Sequence, residues 1–143
     1  MHRYEKLIAS LEIATALGIA IFWILFFSVG MAPAHLPTAY FAFEHSFVPA
    51  DAVLFLGLLA GGSLILKAQP LGRVLSLMCA GGLIFLGLVD SGFNVRNGIY
   101  TSDLVDGIVA AAINLWCISF GITIGVILGP ILSKATDVLP AAR

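Results

Sequence analysis

Charge is what this sequence has least of. Only 10% of its 143 residues are charged, 60% are hydrophobic, and the mean hydropathy is +1.07. A soluble globular protein carries about 25% charged residues, and a chain this short would keep much of its surface wet. That scarcity excludes a water-soluble globule and makes hydrocarbon the solvent for part of the chain. The formal net charge of −1 offers no basic face for nucleic acid.

Cysteine is nearly as scarce. Cys79 and Cys117 form neither a CxxC pair nor a zinc ligand set. On helices of 1.5 Å rise their depths differ by roughly 15 Å, beyond the reach of a disulfide. Both read as reduced, small hydrophobic residues. Also missing are GxGxxG, Walker, GxSxG and HExxH sequences, a ladder of arginines and a TVGYG filter. Nothing in the chain implies a cofactor. No Asn-x-Ser/Thr sequon, internal repeat or low-complexity run is present.

What is there is apolar length. Four runs stand out, and they predict a single all-α domain, a four-helix transmembrane bundle, with spans at about 7–30, 49–67, 73–90 and 106–132. A spanning helix needs about 20 mostly apolar residues. The first and fourth runs meet this alone. The second and third reach it with their bounding charges at the headgroups. The apolar centre of the first run exceeds the 7–15 residues of a signal-peptide core, so it reads as a helix.

Orientation follows from lysine and arginine. Arg3, Lys6, Lys67, Arg73, Lys134 and Arg143 fall on one side and Arg96 alone on the other. The positive-inside rule then puts both termini in the cytoplasm. Short loops without sequons suit a bacterial plasma membrane. The expected surroundings are the lipid bilayer, with a second copy or a membrane subunit as the partner class.

The opposite side is acidic, with Glu44, Asp51, Asp90, Asp103 and Asp106. Its first loop carries Tyr40, Phe41, Phe43 and Phe47, the composition of a short interfacial segment. Asn97-Gly98 marks a turn in its second. Small residues recur at packing intervals: Gly121, Gly125 and Gly129 in the fourth run, Ala14 and Gly18 in the first, Gly57 and Gly61 in the second, Ser76 and Ala80 in the third. Such rows let helix backbones approach where no hydrophobic effect acts between helices.

Acids near hydrocarbon are the first candidates for chemistry, because charge there is costly. Asp51 follows Pro49 and reads as a helix-start acid favoured by the dipole, as do Asp103 and Asp106. Asp90 falls where a helix C-terminus would disfavour it, so Arg96 is the expected ion-pair partner. Asn114 lies mid-span, on one helical face with Asp106 and Ala110 at i, i+4 and i+8. Glu12 reads as an acid near the interface. His35, Glu44 and His45 match no defined metal-site spacing.

The length and four-span layout resemble the EXPERA class, the four-helix fold of sterol isomerases and the sigma-2 receptor. That resemblance implies acids facing a lipid-like ligand inside the bundle. Here Glu44, Asp51, Asp90 and Asp106 gather toward the outer helix ends, and no motif matches residue by residue, so no catalytic role is carried over.

Three functions are compatible with these residues. The first in rank is a non-catalytic accessory or self-associating bundle, packed through the row Gly121, Gly125, Gly129. The second is a binder or carrier of a small apolar or amphipathic ligand, in an outward-opening cavity lined by Glu44, Asp51, Asp90, Arg96 and Asn114. The third is an EXPERA-like isomerase using those carboxylates. A cavity with Asp90 and Asn114 in its wall would favour the second, and a dry bundle the first.

Overall fold

In a solvent without hydrogen-bonding groups the backbone must satisfy itself, and helix is the local way to do so. The computed structural model describes residues 3–30 and 37–137, with only the backbone described for 132–137. It is all-α among these residues, with helices α1 (Arg3–Val29), α2 (Tyr40–Leu66), α3 (Pro70–Arg96), the short α4 (Ile99–Ser102) and α5 (Leu104–Asp137). Four of them are long and apolar enough to cross a membrane, the fourth span being Leu104–Ile131.

The helices outrun the apolar runs. α2 begins at Tyr40 instead of near residue 49, and α3 continues to Arg96 instead of stopping near residue 90. Asp51 and Asp90 had seemed to bound the spans. Both lie inside helices and line the interior of the bundle. The aromatic loop is likewise the opening of α2, and its Tyr40 is buried with Phe26 and Ile99. Pro49 lies ten residues into α2, where a neighbouring helix can re-satisfy the freed backbone.

Three connections are built by local chemistry. After α2, Ala68 takes a left-handed conformation (φ 56°), and the Ala68 and Gln69 N–H groups donate to Ile65 and Leu64 carbonyls. This is the Schellman pattern, and Pro70 then starts α3. After α3, Gly98 (φ 67°) supplies the turn that Asn97-Gly98 signalled. Asp103 caps α5, its Oδ1 accepting from the Val105 and Asp106 N–H groups at 2.8 and 3.2 Å.

Around the bundle the order is α1, α2, α3, α5. Neighbours pack along their lengths, except that α1 and α5 touch only sparsely. The ends differ in charge. Arg73, at the start of α3, grips Glu5 of α1 through Nε and Nη2, both 2.7 Å from Oε1. That pair puts the starts of α1 and α3 at one end, with Lys67 in the adjoining turn. Arg96 lies at the far end of α3, roughly 39 Å away at 1.5 Å per residue. Large apolar side chains point outward, among them Ile24 (64% exposed), Phe85 (65%) and Val126 (67%), as lipid-facing groups should. Hydroxyls on these helices bond back to their own turns: Ser10 to Lys6 O, Ser28 to Ile24 O, Thr123 to Ser119 O.

The half of the bundle at the Arg73 end is dry. Ile8, Ala9, Leu58, Ile65, Ala80, Ile124 and Leu128 form its core. Its small residues are where backbones meet. A methyl group on Gly62 would stand 2.7 Å from the Ala9 carbonyl oxygen, and one on Gly61 2.9 Å from Ser76 Oγ. Gly121 lies as close to the Ala80 carbonyl, but Gly125 and Gly129 meet nothing within 4 Å. The fourth-run glycine row is thus split: one member packs α5 on α3 and two face open space.

Candidate ligand cavity

Toward the other end the helices surround a hollow. Between them lies a half-open cavity of about 720 Å³, bounded by α1 and α5 on either side of their loose seam and backed by α2 and α3. Its wall is a set of helical stripes. α2 contributes Tyr40, Glu44, Phe47, Asp51 and Leu54, spaced by four and three residues, so all share one face. α3 contributes Leu83, Gly87, Asp90 and Asn94 at the same spacing. α5 presents Asp106, Ala110, Asn114 and Cys117, and α1 presents Thr15, Gly18, Ile19 and Phe22.

Four carboxylates therefore meet one cavity, from α2 (Glu44, Asp51), α3 (Asp90) and α5 (Asp106), and its described lining residues include no lysine, arginine or histidine. Donors hold several of the acids in place. Trp23 Nε1 donates to Asp51 Oδ2 at 2.9 Å, tying α1 to α2. Asn94 Nδ2 donates to Asp90 Oδ2 at 3.0 Å from one turn further along α3. Asn114, buried in α5, also lies against Asp90 and donates through Nδ2 to the Tyr100 hydroxyl at 2.7 Å. Glu44 neighbours the Tyr40 phenol one turn earlier on α2. Trp116 Nε1 reaches Thr15 Oγ1 at 3.2 Å across the α1–α5 seam.

The candidate residues sort accordingly. Glu44, Asp51, Asp90 and Asn114 come together, and the face Asp106–Ala110–Asn114 lines the cavity as its spacing indicated. Arg96 does not join them. It is exposed and makes no ion pair with Asp90. The expected pair rested on Asp90 ending its helix. The helix continues past it, and Asn94 supplies the partner instead. The helix-start role given to Asp51 fails for the same reason, since α2 opens eleven residues earlier. His45 turns away from Glu44, with its Nδ1 2.6 Å from Phe41 O and its ring against Phe26 and Phe27. His35 lies outside the described residues.

Sequence reasoning missed Tyr40, Asn94, Thr15 and Trp23. The signal for Tyr40 was its i, i+4, i+7, i+11 spacing with Glu44, Phe47 and Asp51, hidden by starting the helix too late. Trp23 is a contact across two helices and has no local signature. Both cysteines are free thiols; Cys79 is buried and Cys117 is in the cavity wall. Comparison with protein-family models, curated proteins and solved structures returns no match for the chain.

Proposed function

We propose that this protein binds, within the membrane, a small amphipathic molecule with an apolar body and a cationic end. The observation that carries this reading is the convergence of Glu44, Asp51 and Asp90 on one largely apolar cavity, with no basic side chain among its described lining residues. Acids in hydrocarbon are costly unless something of opposite charge meets them. A ligand ammonium would supply that charge, and Tyr40, Phe22, Phe47 and Trp116 offer ring faces to it. The volume lies in the range of about 300–1,000 Å³ usual for small-molecule sites. The cavity draws the reading from a purely packing role toward ligand binding. The sparse contact between α1 and α5 makes their seam the route by which such a molecule would enter from the lipid.

The orientation belongs to the same proposal. Arg3, Lys6, Lys67 and Arg73 gather at the dry end, which supports a cytoplasmic placement of that end with N-in/C-in topology. The cavity then opens in the outer leaflet half.

The test is binding of ethidium, a planar apolar cation, to purified protein in mild detergent by equilibrium dialysis. Saturable binding is expected, weakened about tenfold in Asp90→Asn, in line with about 1.5–3 kcal/mol for a contact to a charged group. A neutral analogue of the same shape should bind more weakly than ethidium. Equal affinity of the two, or no effect of Asp90→Asn and Asp51→Asn together, would remove the cationic reading.

A further inference from the structure

Glu12 lies outside the cavity lining. Glu12 is on α1, one turn from the cavity-lining Thr15 and two turns from Glu5. It is 0% exposed, and neither carboxyl oxygen has a hydrogen-bond partner. Ser76 of α3 lies beside it, but that hydroxyl donates to Gly72 O at 2.9 Å. Over it passes the backbone of α2 at Gly62, where an added methyl would meet Glu12 Cβ at 3.4 Å and the Ala9 carbonyl at 2.7 Å.

Among the described residues the surroundings offer no counter-charge. From α3 the facing titratable groups are Cys79 and, nearer the end, Arg73, which is engaged with Glu5. The nearby stretches of α2 (54–66) and α5 (118–131) contain no titratable residue. On α1 itself, Arg3 and Lys6 are exposed. A carboxylate here would be shut from solvent with no cation described beside it, so the closed crossing favours the neutral acid. Losing that proton requires water, and a parting of α1 from α2 and α3 at Gly62 would admit it. The residue thus stands between the acidic cavity and the basic end, one turn along the same helix from the cavity wall.

We propose that Glu12 is a proton-exchange site. It is protonated in the closed crossing and releases that proton when the crossing opens, so that movement of a cation through the cavity is exchanged against a proton. The cargo in this inference rests on the cavity reading, while the proton site stands on the Glu12 geometry alone. The chemistry is a single acid dissociation, with no bond other than O–H made or broken.

Two measurements test it. Infrared difference spectroscopy on alkalinisation of the purified protein should show a protonated-carboxyl carbonyl band that is lost in Glu12→Gln. An identical spectrum from the variant overturns the proton site. In proteoliposomes, an imposed pH gradient should drive ethidium accumulation. Glu12→Gln should abolish this while binding ethidium in detergent within about twofold of wild type, and Glu12→Asp should restore it. Gradient-driven accumulation that persists in Glu12→Gln, or fails in the wild type although ethidium binds, overturns the exchange. Failure of the wild type to bind ethidium refutes the cation cargo and, with it, the exchange; the infrared band still decides the proton site.

Discussion

The two halves of the bundle use the same helices in opposite ways. At the Arg73 end, glycine, alanine and serine bring backbones into contact. At the Asp90 end, aromatic rings and hydrogen-bonded acids line a hollow. Phe43 stacks on Phe93 with centroids 3.8 Å apart and planes 6° from parallel, and Trp23 reaches over to Asp51. The contrast teaches that helix association here does not need uniform packing. One half packs its helices closely, and the other encloses a cavity.

The sharpest way to break that division is to attack the close-packed half. Glu5 is fully buried and Arg73 is its cation. Arg73→Ala leaves the acid buried without its guanidinium, which costs about 3–5 kcal/mol. A large drop in thermal stability in detergent is expected. Replacing both partners by leucine should recover most of it, since the desolvated charge then disappears with its partner. If Arg73→Ala were silent, the dry end would not anchor the fold.

A second comparison puts the same side chain into each half. Gly62→Leu forces a branched side chain against the Ala9 carbonyl, where even a methyl would stand at 2.7 Å. Overpacking of this kind costs about 1–3 kcal/mol or more. Gly18→Leu adds the same atoms where nothing lies within 4 Å, on the cavity wall. It should leave stability unchanged or raise it by up to about 1 kcal/mol, because leucine is the better helix former. It should also occupy cavity volume and weaken ethidium binding. Thermal melts and dialysis on the two variants should therefore move in opposite patterns. A destabilising Gly18→Leu would mean the hollow is already closed.

How much of this was legible in the sequence follows from what each residue depends on. The four spans were, because long apolar runs need no tertiary information. The face of Asp106, Ala110 and Asn114 was, because helical spacing alone defines it. The helix ends were not. A charge in an apolar run marks either a membrane boundary or an inward-facing group, and Asp51 and Asp90 are the latter. The same ambiguity misplaced Glu12, read as an acid near the interface and found wholly buried. Arg96 was a casualty of the misplaced end of α3, since its pairing was inferred from a dipole whose terminus lies six residues further on. Side chains that meet across helices, such as Trp23 and Asp51, leave no trace in local order.

The smallest effect belongs to Asn114, and it tests whether the hollow half contributes to stability at all. Its Nδ2 donates to the Tyr100 hydroxyl at 2.7 Å, joining α5 to the short α4. Polar contacts between membrane helices contribute about 0.6–2 kcal/mol. Asn114→Ala should therefore lower the melting temperature slightly, by less than Arg73→Ala. Tyr100→Phe should reproduce most of that loss, because it removes the same bond from the other side. The double variant should cost little more than either alone, as expected when two groups share one interaction. Ethidium binding should fall only modestly, since Asn94 still holds Asp90. A loss equal to that of Arg73→Ala would mean that the open half, and not the dry one, carries the fold.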